Sequence, residues 1–185
     1  MILPKRFFAV RLIRYSDQAK STWKNWGGTT REIGKLHPPN ETSYLWRASN
    51  ADVSSSGPFS DFTGYDRILL FLSGSGLKLT FPTITWTLQL PLIEQVHFRG
   101  ETPCHCDLLG TDPVSDWNFI WRRDRGTALV YLHPRFDPNP FQASVVYSPH
   151  GRAQVVARTE TVETAEEFLL DKGDALVVDT IENGY

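Results

Sequence analysis

Turn-forming residues cut this 185-residue chain into short pieces, and that limits what it can fold into. Twelve prolines and thirteen glycines are spread along its length. Between them lie brief runs rich in β-branched and aromatic side chains, such as Phe7-Phe8-Ala9-Val10-Arg11-Leu12-Ile13 and Ile68-Leu69-Leu70-Phe71-Leu72. Short apolar runs bounded by turn signals read as strands. The expectation is an all-β fold, roughly a dozen short strands in a sandwich or barrel.

Residues 7–15 read as an opening strand. Residues 16–40, rich in Gly, Thr, Asn and Pro, read as a long ordered loop with one extended piece near Thr29–Ile33. Tyr44–Val53 alternates, which sets Arg47 and Ser49 on one face and Trp46 and Ala48 on the other. Ser54–Gly64 reads as loop. The clearest hairpin joins residues 66–72 to residues 77–81 through Ser73-Gly74-Ser75-Gly76. Further strands are expected at 83–90, 94–98, 104–109, 117–122, 128–132, 143–146, 153–157 and 175–179. Only Thr161–Leu170 has helical composition, and a strand from Glu167 fits it equally.

Composition excludes several classes of function. The net charge of -2 lacks the basic excess of a nucleic-acid or anionic-membrane binder. No apolar run reaches the ~20 residues of a membrane span. Met1–Val10 has no long apolar core or small-residue cleavage site, so it does not read as a signal peptide. The two cysteines, Cys104 and Cys106, are too close for a comfortable disulfide along one strand. A reducing cytoplasm is therefore the expected setting.

Polar groups concentrate in a few phrases. Trp23–Ile33 holds Asn25, which both donates and accepts, then Gly27-Gly28, Thr30, Arg31 and Glu32. An arginine there grips a carboxylate in two-pronged fashion, or Arg31 and Glu32 merely pair with neighbours. Arg47 lines a barrel interior as a buried cation needing an anion, or faces solvent with no role. Arg67, beside Asp66, reads as an internal ion pair. Ser60 follows Gly57-Pro58-Phe59 without a Gly-x-Ser-x-Gly elbow, which argues against a nucleophilic serine. Alternation sets Asp116, Asn118 and Ile120 on one face and Trp117, Phe119 and Trp121 on the other. The aromatic face is expected to be core, and the polar stripe either to line a pocket or to pack against the glycine-rich loop.

Metal ligation is not expected. His37, His97, His105, His133 and His150 form no His-x-His pair. Cys104-His105-Cys106 turns its sulfurs to one face and His105 to the other, so it reads as buried, inert cysteine. The sequence has neither a P-loop nor a dinucleotide fingerprint, and no cofactor is expected. A faint echo links Phe98-Arg99-Gly100-Glu101 and Asp171-Lys172-Gly173-Asp174, each a glycine–acid turn before a strand.

Taken together and in order, Trp23-Lys24-Asn25…Gly27-Gly28…Thr30-Arg31-Glu32-Ile33, Trp46-Arg47…Ser49…Ala51…Val53, Gly57-Pro58-Phe59-Ser60…Phe62…Gly64…Asp66-Arg67 and Asp116…Asn118 resemble the HutD/Ves family across about residues 8–125. Two positions depart from that pattern. Trp26 stands where the family has the first of three glycines, and Ile120 ends a phrase that usually ends in Met. A bulky Trp26 is expected to reshape the pocket.

The resemblance implies a cupin of the RmlC-like jelly-roll type, duplicated as two fused β-barrels, a bicupin. The halves would divide at about 1–110 and 111–185, with strand exchange between them. It implies a metal-free, cytoplasmic protein that binds a small carboxylated metabolite such as N-formylglutamate, a histidine-catabolism intermediate, in a regulatory or buffering role. No nucleic acid or membrane partner is expected, and a homodimer is open. Ligand contacts would come from Asn25, Thr30, Arg31, Glu32, Arg47, Ser49, Ser60, Arg67, Asp116 and Asn118, with Arg31, Arg47 and Arg67 the choices for the carboxylate. The alternative is a metal-independent isomerase, epimerase or lyase on a small acid, with Glu32, Asp66, Asp116 or one of the histidines as the base.

Overall fold

A computed structural model describes residues 7–24, 26–89, 95–131, 143–159 and 162–181. Fifteen strands run through them: β1 Phe7–Ile13, β2 Ala19–Thr22, β3 Gly28–Leu36, β4 Trp46–Val53, β5 Gly57–Pro58, β6 Tyr65–Ser73, β7 Leu77–Thr80, β8 Thr85–Leu88, β9 Gln95–Arg99, β10 His105–Leu108, β11 Val114–Arg122, β12 Ala143–Tyr147, β13 Ala153–Thr159, β14 Val162–Leu170 and β15 Ala175–Ile181. The only helical element among the described residues is a 3-10 turn at Tyr15–Asp17. The all-β expectation holds, and Thr161–Leu170 resolves as strand from Val162 onward. No helix among the described residues is long and apolar enough to cross a membrane.

The chain divides into two compact units, residues 19–132 and residues 1–18 with 133–185. This is not the boundary expected near residue 110. Strand β11 lies beyond that point, yet it is hydrogen bonded between β4 and β6 over most of its length. Cutting there would open the largest sheet.

The larger unit holds a six-stranded sheet, β2-β3-β4-β11-β6-β9, and a four-stranded sheet, β5-β10-β7-β8. All their pairings are antiparallel. Their facing sides share one core, in which Val53, Leu69, Phe71, Val96 and Val114 of the first meet Leu77, Leu79, Leu88 and Cys106 of the second. Burying such aliphatic side chains stabilises the sandwich by about 1.5–3 kcal/mol each.

Three sequence expectations fail in this unit. Residues 16–40 are not mainly loop, because β2 and β3 pair there from Ala19↔Glu32 to Thr22↔Thr29. Residues 123–131 carry no strand, so the run expected at 128–132 is absent where it is described. The clearest hairpin is not a hairpin: β6 and β7 lie in different sheets, and Ser73–Gly76 carries the chain from one to the other. The crossing depends on Gly74 and Gly76, at φ 111° and 107°, where a side chain would also strike Pro113–Val114 and Leu88–Gln89. The run before the crossing, β6, is buried over six consecutive residues, whereas β7 after it alternates buried Leu77 and Leu79 with Lys78 and Thr80.

In the smaller unit, β1-β15-β12 form a three-stranded sheet and β13-β14 a hairpin. These strands do not by themselves display a second barrel. The turn Asp171–Asp174 is built on Asp174, which accepts from Tyr15 N at 2.9 Å, Asp171 N at 3.0 Å and Arg14 Nη1 at 2.6 Å. Gly173 (φ 85°) lets Tyr15 pack on the turn, where a Cβ would strike its ring.

Candidate functional site

The six-stranded sheet carries a polar row on its inner face. Directly paired antiparallel residues share a face. Asn118 lies opposite Ser49 and Leu69, and Asp116 opposite Ala51 and Phe71. Ile120 lies opposite Arg47 on one side and Arg67 on the other. Because Leu69 and Phe71 are core residues, this is the inner face. The polar stripe therefore faces the interior. The aromatic row lies on the other face, with Trp46, Trp117 and Trp121 rings ranged along Phe119, and that face is buried as expected, Trp46, Ala48, Ile68 and Trp117 being at most 7% exposed.

Arg67 is the centre of this wall, and only 6% of it is exposed. Its Nη2 donates to Asn118 Oδ1 at 2.9 Å and its Nη1 to the Ser60 carbonyl at 3.5 Å. Phe59, Phe62 and Phe98 surround the guanidinium with ring centroids 5.3, 5.1 and 4.9 Å away, a cation–π cage. The Nε is buried and has no hydrogen-bond partner. Burial lowers the guanidinium's pKa to about 10, with Asp116 acting in the opposite direction. Arg67 thus stays charged at neutral pH. It is not the ion-pair partner of Asp66, which points to the opposite face and binds Arg123 at 2.7 Å.

Asn118 continues the chain by donating its amide to Asp116 Oδ1. Burial raises the Asp116 carboxyl to about 7, against the pull of Arg67. Desolvation wins because the group is almost wholly enclosed, at 1% exposure.

Arg47 stands across Ile120 from Arg67. Glu32 Oε2 lies 3.4 Å from its Nε, close as an ion pair but outside hydrogen-bond alignment. Lys35 Nζ takes the same carboxylate at 3.1 Å. Glu32 and Lys35 share a face despite their odd spacing because β3 has a bulge between Glu32 and Gly34. Tyr44, half-buried, bonds Arg47 and lies tilted at 46° against Tyr65, with ring centroids 4.9 Å apart. Its hydroxyl is pushed up by burial, with Arg47 pulling it down.

The fold thus gathers Glu32, Arg47, Ser49, Arg67, Asp116 and Asn118 on one interior wall. Thr30 shares that face but accepts from Trp23 Nε1 at 2.7 Å, nearer the far end of the sheet. Arg31, opposite Asn50, takes the outer face. Ser60 contributes its carbonyl, its side chain being exposed. Asn25 lies outside the described residues.

Trp26 does not reshape this site. It is 83% exposed, in the turn before Gly28↔Val53, at the opposite end of the sheet from Arg67↔Phe98. The residues missed from sequence are Phe59, Phe62, Phe98 and Tyr44. Phe59 and Phe62 sat in the third phrase, and their spacing around Ser60-Asp61 was the available signal.

Cys104 and Cys106 are free and buried in the core, with His105 exposed beside Asp107. Burial pushes their thiols up to about 11 and about 12. No group of three metal-ligating side chains forms among the described residues. A cleft of about 510 Å³ opens beside the cage, shares Phe59 with it and is lined also by Ser60 and Cys104.

Chemically, the wall offers two arginines with Nε atoms left over, and two carboxyls to balance them, Glu32 shared with Lys35 and Asp116 raised by burial. It is suited to receive an anion.

Comparison with known proteins adds a lineage. The model of the HutD family matches residues 15–183. The chain is 36% identical over 121 residues to an uncharacterized 21.2 kDa protein in the hutC 3'region of Pseudomonas putida. That match covers 65% of this chain and 63% of the relative, so the chain spans somewhat under two thirds of the relative's length. It is 31% identical over 142 residues to protein Ves of Cronobacter sakazakii, covering 76% and 77% of the two chains. Its fold matches the solved structure of HutD from Pseudomonas fluorescens SBW25, with a TM-score of 0.60 at 23% identity over 95% of this chain and all of that one.

Proposed function

Because the chain belongs to the HutD family, we propose that it is a metal-free cupin that binds a small carboxylated metabolite inside the larger unit. N-formylglutamate or a related histidine-catabolism intermediate is the ligand, in a regulatory or buffering role in the cytoplasm. The observation that carries this reading is the pair Arg47 and Arg67. They flank Ile120 on the inner wall, and both Nε atoms are buried without a hydrogen-bond partner. Glu32 is the counter-charge of Arg47 and is divided between it and Lys35, while Asp116 reaches Arg67 only through Asn118. A carboxylate between the arginines would supply acceptors to buried donors, which are costly to leave unmade. The HutD relative was solved in a formate condition, which makes formate a natural minimal probe.

Calorimetric titration with N-formylglutamate, urocanate, glutamate and formate tests this. Binding of N-formylglutamate to the native protein is expected, with a loss of tenfold or more in Arg47→Gln and Arg67→Gln. Arg152→Ala, an exposed control 74% accessible at its side chain, is expected to leave affinity unchanged. Absence of binding by all four carboxylates, or native affinity retained in both arginine variants, sinks the reading.

A further inference from the structure

We propose, resting on the anion site just described, that Asp116 is a positioning residue which sets the pocket's affinity through Asn118 and Arg67 without touching the anion, so that ionised Asp116 and bound anion oppose one another. The first support is connectivity. Asn118 uses both ends of its amide within the protein, accepting from Arg67 Nη2 and donating to Asp116. The arginine's demand for an acceptor turns the amide nitrogen toward Asp116. The carboxyl is thereby fixed as an acceptor two hydrogen bonds away from the guanidinium.

The second support is enclosure. Arg67, Asn118 and Asp116 are 6%, 7% and 1% exposed. With Phe59, Phe62 and Phe98 closing on the guanidinium, little solvent remains to screen a charge on Asp116. The charged or titratable groups that act on Asp116 are Arg67 of β6 and Cys106 of β10, with Asp52 of β4 acting from the other face of the sheet. The Cys106 thiol, pushed up to about 12, is uncharged near neutrality. Arg67 favours ionisation of Asp116, while burial and Asp52 oppose it, and the balance falls at about 7.

An anion docked on Arg67 competes for the same positive charge. It therefore raises the carboxyl's pKa, and by reciprocity the ionised carboxylate weakens the anion. Asp116 thereby confers pH sensitivity on a ligand that is itself ionised throughout the range.

The test measures N-formylglutamate and formate affinity from pH 5.5 to 8.5 in the native protein, Asp116→Asn and Asn118→Ala. Native affinity is expected to fall about tenfold between pH 6 and pH 8. Asp116→Asn, which keeps an acceptor for Asn118, is expected to hold the low-pH affinity across the range. Asn118→Ala is expected to bind weakly at every pH. Carbon-13 NMR of the Asp116 carboxyl in the native protein requires no variant to fold. Saturating anion should move its titration to higher pH. A flat native profile, an unchanged slope in Asp116→Asn, or an unmoved carboxyl titration overturns the proposal while leaving anion binding intact. No binding at any pH overturns the anion site and this inference with it.

Discussion

At the scale of single residues, the interior wall combines charge with enclosure, and each member has a separable consequence. Asn118 joins two buried groups that have few other partners. Asn118→Ala should cost about 2–4 kcal/mol in urea unfolding, because it strands an Arg67 donor and an Asp116 acceptor together. Asp116 gives a pH signature. Its folded pKa of about 7 lies above its usual value of 3.8. Its contribution to stability is therefore full below pH 4 and lost as pH rises toward 7. Asp116→Asn should gain stability relative to the native protein progressively between those limits, as read by thermal melts across pH. A difference that is constant with pH would refute the assignment. Trp26 makes the opposite case. A non-glycine residue at φ 59° that is 83% exposed carries strain with no burial to offset it. Trp26→Gly should be neutral or stabilising by up to about 1 kcal/mol, with carboxylate affinity unchanged.

At the scale of elements, the site depends on how a loop is held against a strand. Gly100 accepts from Phe62 N at 3.0 Å and donates to Tyr65 O at 2.7 Å. A Cβ on Gly100 would collide with the Phe62 backbone and side chain. That close approach seats Phe62 over Arg67. Gly100→Ala should cost about 1–3 kcal/mol and loosen the aromatic cage. Melting temperature and carboxylate affinity would fall together, and an unchanged melt would show that the loop is held by something else. The glycine turn was readable from sequence, but its role against residues 59–64 was not. The crossing at Gly74–Gly76 makes the same point. Glycines between two apolar runs announce a reversal, whereas the choice between a hairpin and a change of sheet depends on which strands the runs later pair with.

At the scale of the whole molecule, each unit has its own electrostatic anchor. In the larger unit, hydrogen bonds from Arg123 hold the Glu101 carboxyl down at about 2. In the smaller unit, burial works to raise Asp174, but donation from Tyr15 N, Arg14 and Asp171 N outweighs it and holds the acid below its usual range. Groups held low contribute stability above their unfolded pKa and lose it as pH falls through the folded one. Acid unfolding should therefore begin below about pH 4, and Asp174→Ala should cost about 2–4 kcal/mol at neutral pH while weakening the acid dependence. The sequence by itself determined the strand-rich class, the alternation of Arg47 with Ser49 and of Asp116 with Asn118, the burial of both cysteines and the family. Those follow from period-two patterning and from phrases read along the chain, both local properties. Only the tertiary structure decided that the polar stripe faces inward, that Arg67 rather than Arg31 sits in the interior, and that the chain divides around residues 19–132. Each of these depends on pairing between residues far apart, as Arg67 and Asn118 are at 51 positions. A strand's own alternation defines its two faces equally well, and the strand and sheet it later meets decide what each face packs against.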